Sequence, residues 1–123
     1  MEEFIDTVIE FKEKNRTVKI SGVSMMEDAL EFYKECKNWI DDYLNSNADP
    51  LIIEFELTYF NSSTAKQFIQ ILSKLEEGNN KGKAVWKYPK DHIIMYDRGK
   101  ELEVLVDVPF EFIEPETKKF ISA

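Results

Sequence analysis

Two spacings of apolar residues take turns along this chain. Between Leu51 and Phe60 they recur every second position: Ile53, Phe55, Leu57 and Tyr59 on one side, Glu54, Glu56 and Thr58 on the other. That is the period of a β-strand. Thr17-Val18-Lys19-Ile20-Ser21 alternates in the same way, with Gly22 closing it. Between Met25 and Asn45 the spacing changes. Ala29, Phe32, Tyr33, Cys36, Trp39, Ile40, Tyr43 and Leu44 fall at three- and four-residue steps and make one broad apolar face, the signature of an amphipathic helix. Ala65, Phe68, Ile69, Ile71, Leu72 and Leu75 describe a second such helix after Asn61.

Shorter segments complete the order. Residues 3–10, with Phe4, Ile5, Val8 and Ile9, read as a first strand, joined by the polar turn Glu13–Arg16 to the Thr17–Ser21 strand as a hairpin. Ser24 is the expected N-cap of the first helix, with Glu27 completing a capping box. Ala84–Tyr88 is a strand stopped by Pro89. Asp91 to about Leu105 is expected to be a helix capped by Asp91 and interrupted at Gly99, and Pro109–Ile113 a final strand at a sheet edge. Strands alternating with helices imply an α/β fold, a mixed central sheet with amphipathic helices packed on it. No linker divides the chain, so residues 1–123 are expected to form one domain. The charged side of the Leu51–Phe60 strand leaves open whether helices cover both faces.

Composition narrows the chemistry. A chain of 123 residues, 43% hydrophobic and 13% aromatic, has material for one core. Its net charge of -8, from 24 acidic and 16 basic residues, argues against a nucleic-acid partner, which needs a basic face. Solubility accounts for the acidity most simply, although an acidic surface favours partners with basic patches. The single cysteine, Cys36, allows no intramolecular disulfide and makes a zinc cluster implausible. The N-terminal residues lack the pattern of a signal peptide, and no apolar run is long enough to cross a bilayer. These features lead us to expect a cytoplasmic protein without membrane insertion, metal or cofactor.

Candidate catalytic groups are few. His92 has no evident nucleophile or substrate site beside it, and Cys36 lies on an apolar helix face. Glu54 and Glu56 alternate along a strand and read as solvated, not as a glycosidase pair. There is no Gly-rich phosphate loop. Trp39, Trp86, Tyr33 and Tyr43 fall mainly at core positions. The exception is Tyr59-Phe60-Asn61-Ser62-Ser63-Thr64-Ala65-Lys66, where a strand runs into a helix through consecutive hydroxyl residues. Asn, Ser and Thr are preferred caps, but one cap suffices. The surplus hydroxyls lie where backbone N–H groups are free and the helix dipole is positive. A phosphoryl group there would add about 1.5 to 2 negative charges at one point. Physics alone leaves a cap and a phosphorylation site both open, with the cap the simpler.

Those residues resemble the SiaC-type biofilm-regulation phosphoproteins, a family related to STAS or anti-sigma-factor-antagonist domains. Its strand ends in Tyr-(Phe/Leu)-Asn-Thr-Ser-Ser before a helix with an early Lys, against Tyr59-Phe60-Asn61-Ser62-Ser63-Thr64 and Lys66 here. Its upstream Gly-x-Ser-Tyr-Pro-Glu-Asn turn is matched by Gly22-Val23-Ser24-Met25-Met26-Glu27-Asp28, followed by Phe32-Tyr33 and Trp39. Trp86-Lys87-Tyr88, Asp91 and Pro109-Phe110 match its later blocks, so the resemblance covers nearly the whole chain. Met25-Met26 and Asp28 depart from the family turn, and Ser62 stands where the family carries its phosphorylated Thr.

The resemblance implies a STAS-like fold and a non-catalytic partner switch. A cognate Ser/Thr kinase would phosphorylate Ser62, with Ser63 the alternative, and a PP2C-type phosphatase would reset it. The unphosphorylated form would activate a diguanylate cyclase, linking it to cyclic di-GMP and biofilm formation. Tyr59, Asn61, Ser63, Thr64, Lys66, Ser24 and Glu27 are then the candidate partner-binding residues. The competing readings are an anti-sigma-factor antagonist, a constitutive interaction module whose hydroxyls only cap the helix, and a small enzyme using His92 or an acidic pair.

Overall fold

The computed structural model describes residues 6–114. Five strands form one sheet in the order β1 (Val8–Lys12), β2 (Thr17–Ser24), β3 (Ile52–Phe60), β4 (Lys83–Lys87) and β5 (Phe110–Ile113). β1 is antiparallel to β2, and every later pairing is parallel. The helices are α1 (Ala29–Phe32), α2 (Lys34–Ser46), α3 (Ser62–Glu77) and α4 (Ile93–Glu103). The mixed sheet and the alternating order agree with the sequence reading, while several boundaries do not. The first strand begins at Val8, and residues 3–5 of the expected strand lie outside the described residues.

Strands that are neighbours in both sequence and space, joined by crossovers of one hand, carry all their helices on one face. The core follows from this. Val18 and Ile20 of β2, Ile53, Phe55 and Leu57 of β3, and Ala84 and Trp86 of β4 face Tyr33, Ile40, Phe68, Ile71, Leu72 and Met95 on the helices. Phe68 packs against Tyr33, Phe55 and Phe60 with ring centroids 5.7, 4.8 and 5.3 Å apart. The opposite face carries charge. Lys19 bridges to Glu56 at 3.1 Å and Glu54 at 3.8 Å, and Lys87 reaches Glu54 at 2.9 Å. Glu54 and Glu56 are therefore paired with lysines across strands.

Four expectations fail for local reasons. β2 does not end at Gly22 but continues to Ser24, and its pairing jumps from Gly22↔Leu57 to Val23↔Tyr59. Thr58 is thus an extra residue on β3, a β-bulge, and Gly22 beside it adopts φ 101°. One inserted residue reverses the alternation beyond it. Tyr59, expected on the apolar face, is 48% exposed, and Phe60 takes the inward position at 0%. Nor is Gly99 a helix break. α4 runs through it, and its missing side chain makes room for Trp86: a Cβ at Gly99 would lie 2.5 Å from the indole Nε1. Asp91 is not the cap either: it adopts φ 69°, one residue before the cap position at His92.

Candidate functional site

The ends of β2 and β3 meet where α3 begins. Ser24 pairs with Phe60 across the two strands, and the Asn61 N–H donates to the Ser24 carbonyl at 3.1 Å. Asn61 has extended backbone (φ -93°, ψ 178°), and its side-chain oxygen accepts the Thr64 N–H at 3.0 Å. One residue caps the helix, as expected, and it is Asn61. Ser62, Ser63 and Thr64 therefore occupy the first helical turn.

The turn divides the three hydroxyls. Thr64 is buried, sharing a 2.8 Å hydrogen bond with Ser24 Oγ, which in turn shares one of 2.7 Å with Tyr33 Oη. Thr64 Oγ1 also lies 3.2 Å from the Ser24 carbonyl. This buried chain of hydroxyls, centred on Ser24, ties β2, the α1–α2 junction and α3 together. Burial pushes the Tyr33 phenol up to about 12, the bond to Ser24 opposing it. Ser62 and Ser63 remain exposed. Two of three candidate acceptors thus face solvent beside free N–H groups, and the third belongs to the core.

Ser24 is consequently not a helix cap. It ends a strand, and α1 is capped by Asp28, whose carboxylate accepts the Glu31 N–H at 3.1 Å. The Ser24–Glu27 capping box expected from spacing does not form, because the chain between them is still leaving the sheet. The single helix expected over Met25–Asn45 is two helices, which break at Tyr33 (φ -90°, ψ 4°). Ser24 and Thr64, both proposed from sequence as partner contacts, are buried, so a docked partner would not meet their hydroxyls. Tyr59, Lys66 and Glu27 are exposed, and Asn61 is half-buried.

The two exposed serines look in different directions. Ser63 shares a stripe of α3 with Gln67, Gln70 and Lys74, which meets α2 through Lys37–Gln70 (2.6 Å) and Asp41–Lys74 (2.9 Å). Ser62 lies one turn before Lys66, the spacing at which an anion and a cation on a helix meet. Arg98 of α4 was not anticipated from sequence. Its guanidinium donates to the Phe60 carbonyl at 3.2 Å and lies 4.1 Å from the centre of the Phe60 ring. Only the fold brings this cation to the strand end, from 38 residues away. Exposed apolar side chains also occur in the segments following the parallel strands: Met25 after β2, and Ile93 and Ile94 after β4.

Gln67 adds a measurable anomaly. It is 4% exposed, and among the described residues its Oε1 has no hydrogen-bond partner. An unpaired buried oxygen costs about 1–3 kcal/mol. Gln67→Leu, close in size, is expected to stabilise the protein by about 1 kcal/mol in urea denaturation with no change in m-value. A destabilised variant would show that the oxygen is satisfied.

The rival catalytic groups gain little. Cys36 is buried, and burial pushes its thiol up to about 12, so it stays protonated and inert. His92 sits at the α4 cap position, its Nδ1 buried and without a partner among the described residues. Among the described residues no three His, Cys, Asp or Glu side chains converge as a metal site, and no helix is long and apolar enough to cross a membrane.

Comparison with known proteins gives a consistent set of matches. The family described as "SiaC family regulatory phosphoprotein" matches residues 5–115. An uncharacterized protein of Pseudomonas aeruginosa (strain UCBPP-PA14) is 26% identical over 96 residues, which is 76% of each chain. Among solved structures, a chain in the crystal structure of diguanylate cyclase SiaD in complex with its activator SiaC, from Pseudomonas aeruginosa, superposes with TM-score 0.81 at 21% identity. The match covers 90% of this chain and 93% of that one. SiaC of Pseudomonas aeruginosa superposes with TM-score 0.80 at 20% identity, covering 94% and 96%. At such identities these superpositions speak to the fold.

Proposed function

The chain belongs to the SiaC family of regulatory phosphoproteins, and from that premise we propose that it is a non-catalytic, phosphorylation-controlled partner switch that binds and activates a diguanylate cyclase when unphosphorylated. One observation carries the switch: α3 already has its cap in Asn61, its Thr64 hydroxyl is buried, and Ser62 and Ser63 are left exposed at a helix start. A kinase has access to both. Ser62 is the acceptor in this reading, because the motif resemblance sets it against the family's phosphorylated Thr and Lys66 lies one turn on to accommodate the product. Ser63 is the alternative.

A phosphoryl group at the first helical position is met by free N–H groups and the positive end of the helix dipole, so α3 tolerates it. What changes is the surface around it. Tyr59, Asn61, Lys66, Glu27 and the unmodified serine are exposed or half-exposed there, and an effector resting on them would meet a dianion. Ser24 and Thr64 hold the turn in place from beneath. A cognate Ser/Thr kinase and a PP2C-type phosphatase would write and erase the mark, with the whole cycle cytoplasmic. Resemblance of fold to a SiaC solved with the cyclase SiaD supports the effector class.

The test is incubation with the cognate kinase and ATP, followed by intact-mass and peptide mapping. We expect one added phosphate, on Ser62. Its presence on Ser63 instead would move the switch by one residue. An unmodified Asn61–Lys66 peptide would end the proposal and leave a constitutive module capped by Asn61.

A further inference from the structure

The surface between α1–α2 and α3 has a charge opposite to that of the protein as a whole. Leu30, Glu31, Lys34, Lys37, Asn38, Asp41 and Lys74 line a groove of about 350 Å³ there. Its charges are three lysines against two carboxylates. Asp41 is committed to Lys74, whose ammonium contacts both carboxylate oxygens at 2.9 and 3.1 Å. Among the described residues, neither Lys34 nor Lys37 has a carboxylate within ion-pair distance. Lys37 is held by a neutral partner, donating to Gln70 Oε1 at 2.6 Å. Burial, and after it the charge of Lys74, lowers the Lys37 ammonium below the usual lysine range. An ammonium placed so gains by meeting a carboxylate.

The groove also has an apolar lip. Leu30 is 61% exposed, one turn before Lys34 and on the same side of the helix pair as Lys37 and Asp41. Within α2 the lining from Lys34 to Asp41 runs about 10 Å at helical rise, close to two turns, with Leu30 contributed by α1 across the break at Tyr33. A partner helix with two carboxylates at a three- or four-residue step would meet Lys34 and Lys37, and a leucine beside them would meet Leu30.

We propose that this groove docks an acidic amphipathic helix of the effector, its carboxylates on Lys34 and Lys37 and an apolar side chain on Leu30. The inference rests on the partner-switch reading only for the identity of that effector. The groove lies along the α2-facing stripe of α3 that begins at Ser63, so a helix seated in it extends toward the phosphorylatable turn. Negative charge on that turn, on the stripe at Ser63 or beside it at Ser62, would then repel an acidic helix through space. That joins the two surfaces in one device: attraction supplied by the lysines, release supplied by the phosphoryl group.

The experiment uses a fluorescein-labelled, end-blocked peptide of Glu, Leu and Ala with Glu and Leu at three- and four-residue steps, and a control with Lys for Glu. Binding is followed by anisotropy at two salt concentrations and by backbone amide shifts. The acidic peptide should bind, more weakly at high salt, shifting amides of residues 30–41 and 70–74. Lys34→Glu with Lys37→Glu should weaken it at least tenfold while the circular dichroism spectrum stays unchanged. Equal binding to that variant, shifts outside the groove, equal binding of the Lys peptide, or the same shifts with inorganic phosphate alone would each overturn the proposal. Peptide mapping of the kinase reaction is independent. A phosphorylated Ser62 with an empty groove removes this inference and keeps the switch, and a filled groove with no phosphorylation does the reverse.

Discussion

Ser62→Asp is expected to lower affinity for the proposed diguanylate cyclase effector at least tenfold, with unfolding midpoint and circular dichroism essentially unchanged. The asymmetry follows from the site. Position 62 is the first residue of α3 and exposed, and among the described residues its side chain is in no hydrogen bond. A carboxylate there interacts favourably with the helix dipole by about 0.3–1 kcal/mol, so stability should hold or rise slightly. The docked surface loses instead: a buried or close like-charge contact costs several kcal/mol, and tenfold corresponds to only about 1.4 kcal/mol. Ser62→Ala should bind like the unmodified protein and resist regulation. Calorimetric titration with the purified cyclase, together with its cyclic di-GMP output, would check both. If Ser62→Asp binds as tightly as the parent while Ser63→Asp does not, the acceptor is Ser63.

Gly99→Ala is expected to destabilise the protein by about 2 kcal/mol, although alanine favours helix by about 1 kcal/mol over glycine. The added methyl would lie 2.5, 2.6 and 2.7 Å from three atoms of the Trp86 indole. That ring has little room to retreat. Its Nε1–H donates to the Met95 carbonyl at 2.8 Å, and it packs on Phe55 and Phe60 at 5.2 and 5.8 Å between centroids. Overpacking at a fully buried tryptophan therefore outweighs propensity. Thermal unfolding should show a midpoint lower by several degrees. Introduced into a Trp86→Phe background, the same substitution should cost less, since the five-membered ring it strikes is gone. An additive double variant would mean that α4 can shift bodily off the sheet.

These two positions also mark the limits of reading the chain as text. A cap somewhere in Asn61–Thr64, the α3 apolar face and the strand before it were legible, because each is a local matter of period and turn chemistry; that the cap is Asn61 was not. So was the excess of hydroxyls in one turn. Gly99 was misread as a break because its role is to admit Trp86, 13 residues earlier in sequence and on another element. Ser24 was misread as a cap because spacing alone cannot tell a strand's last residue from the first of a helix when both precede an acidic turn. Tyr59 was placed inward by extending an alternation that Thr58 interrupts.

For the serines that opened the question, sequence by itself determined that there were more hydroxyls than a helix start requires, and family resemblance gave them a chemistry. Which of them is available was decided only by tertiary structure. Thr64 is withdrawn into bonds with Ser24, from 40 residues away, while Ser62 and Ser63 stay at the surface. The same holds for charge: composition fixes the net -8, but only folding collects Lys34, Lys37 and Lys74 beside one groove. The physical reason is common to both. Propensity and period act over a few residues, whereas burial and electrostatic neighbourhood depend on which distant segments the sheet brings together.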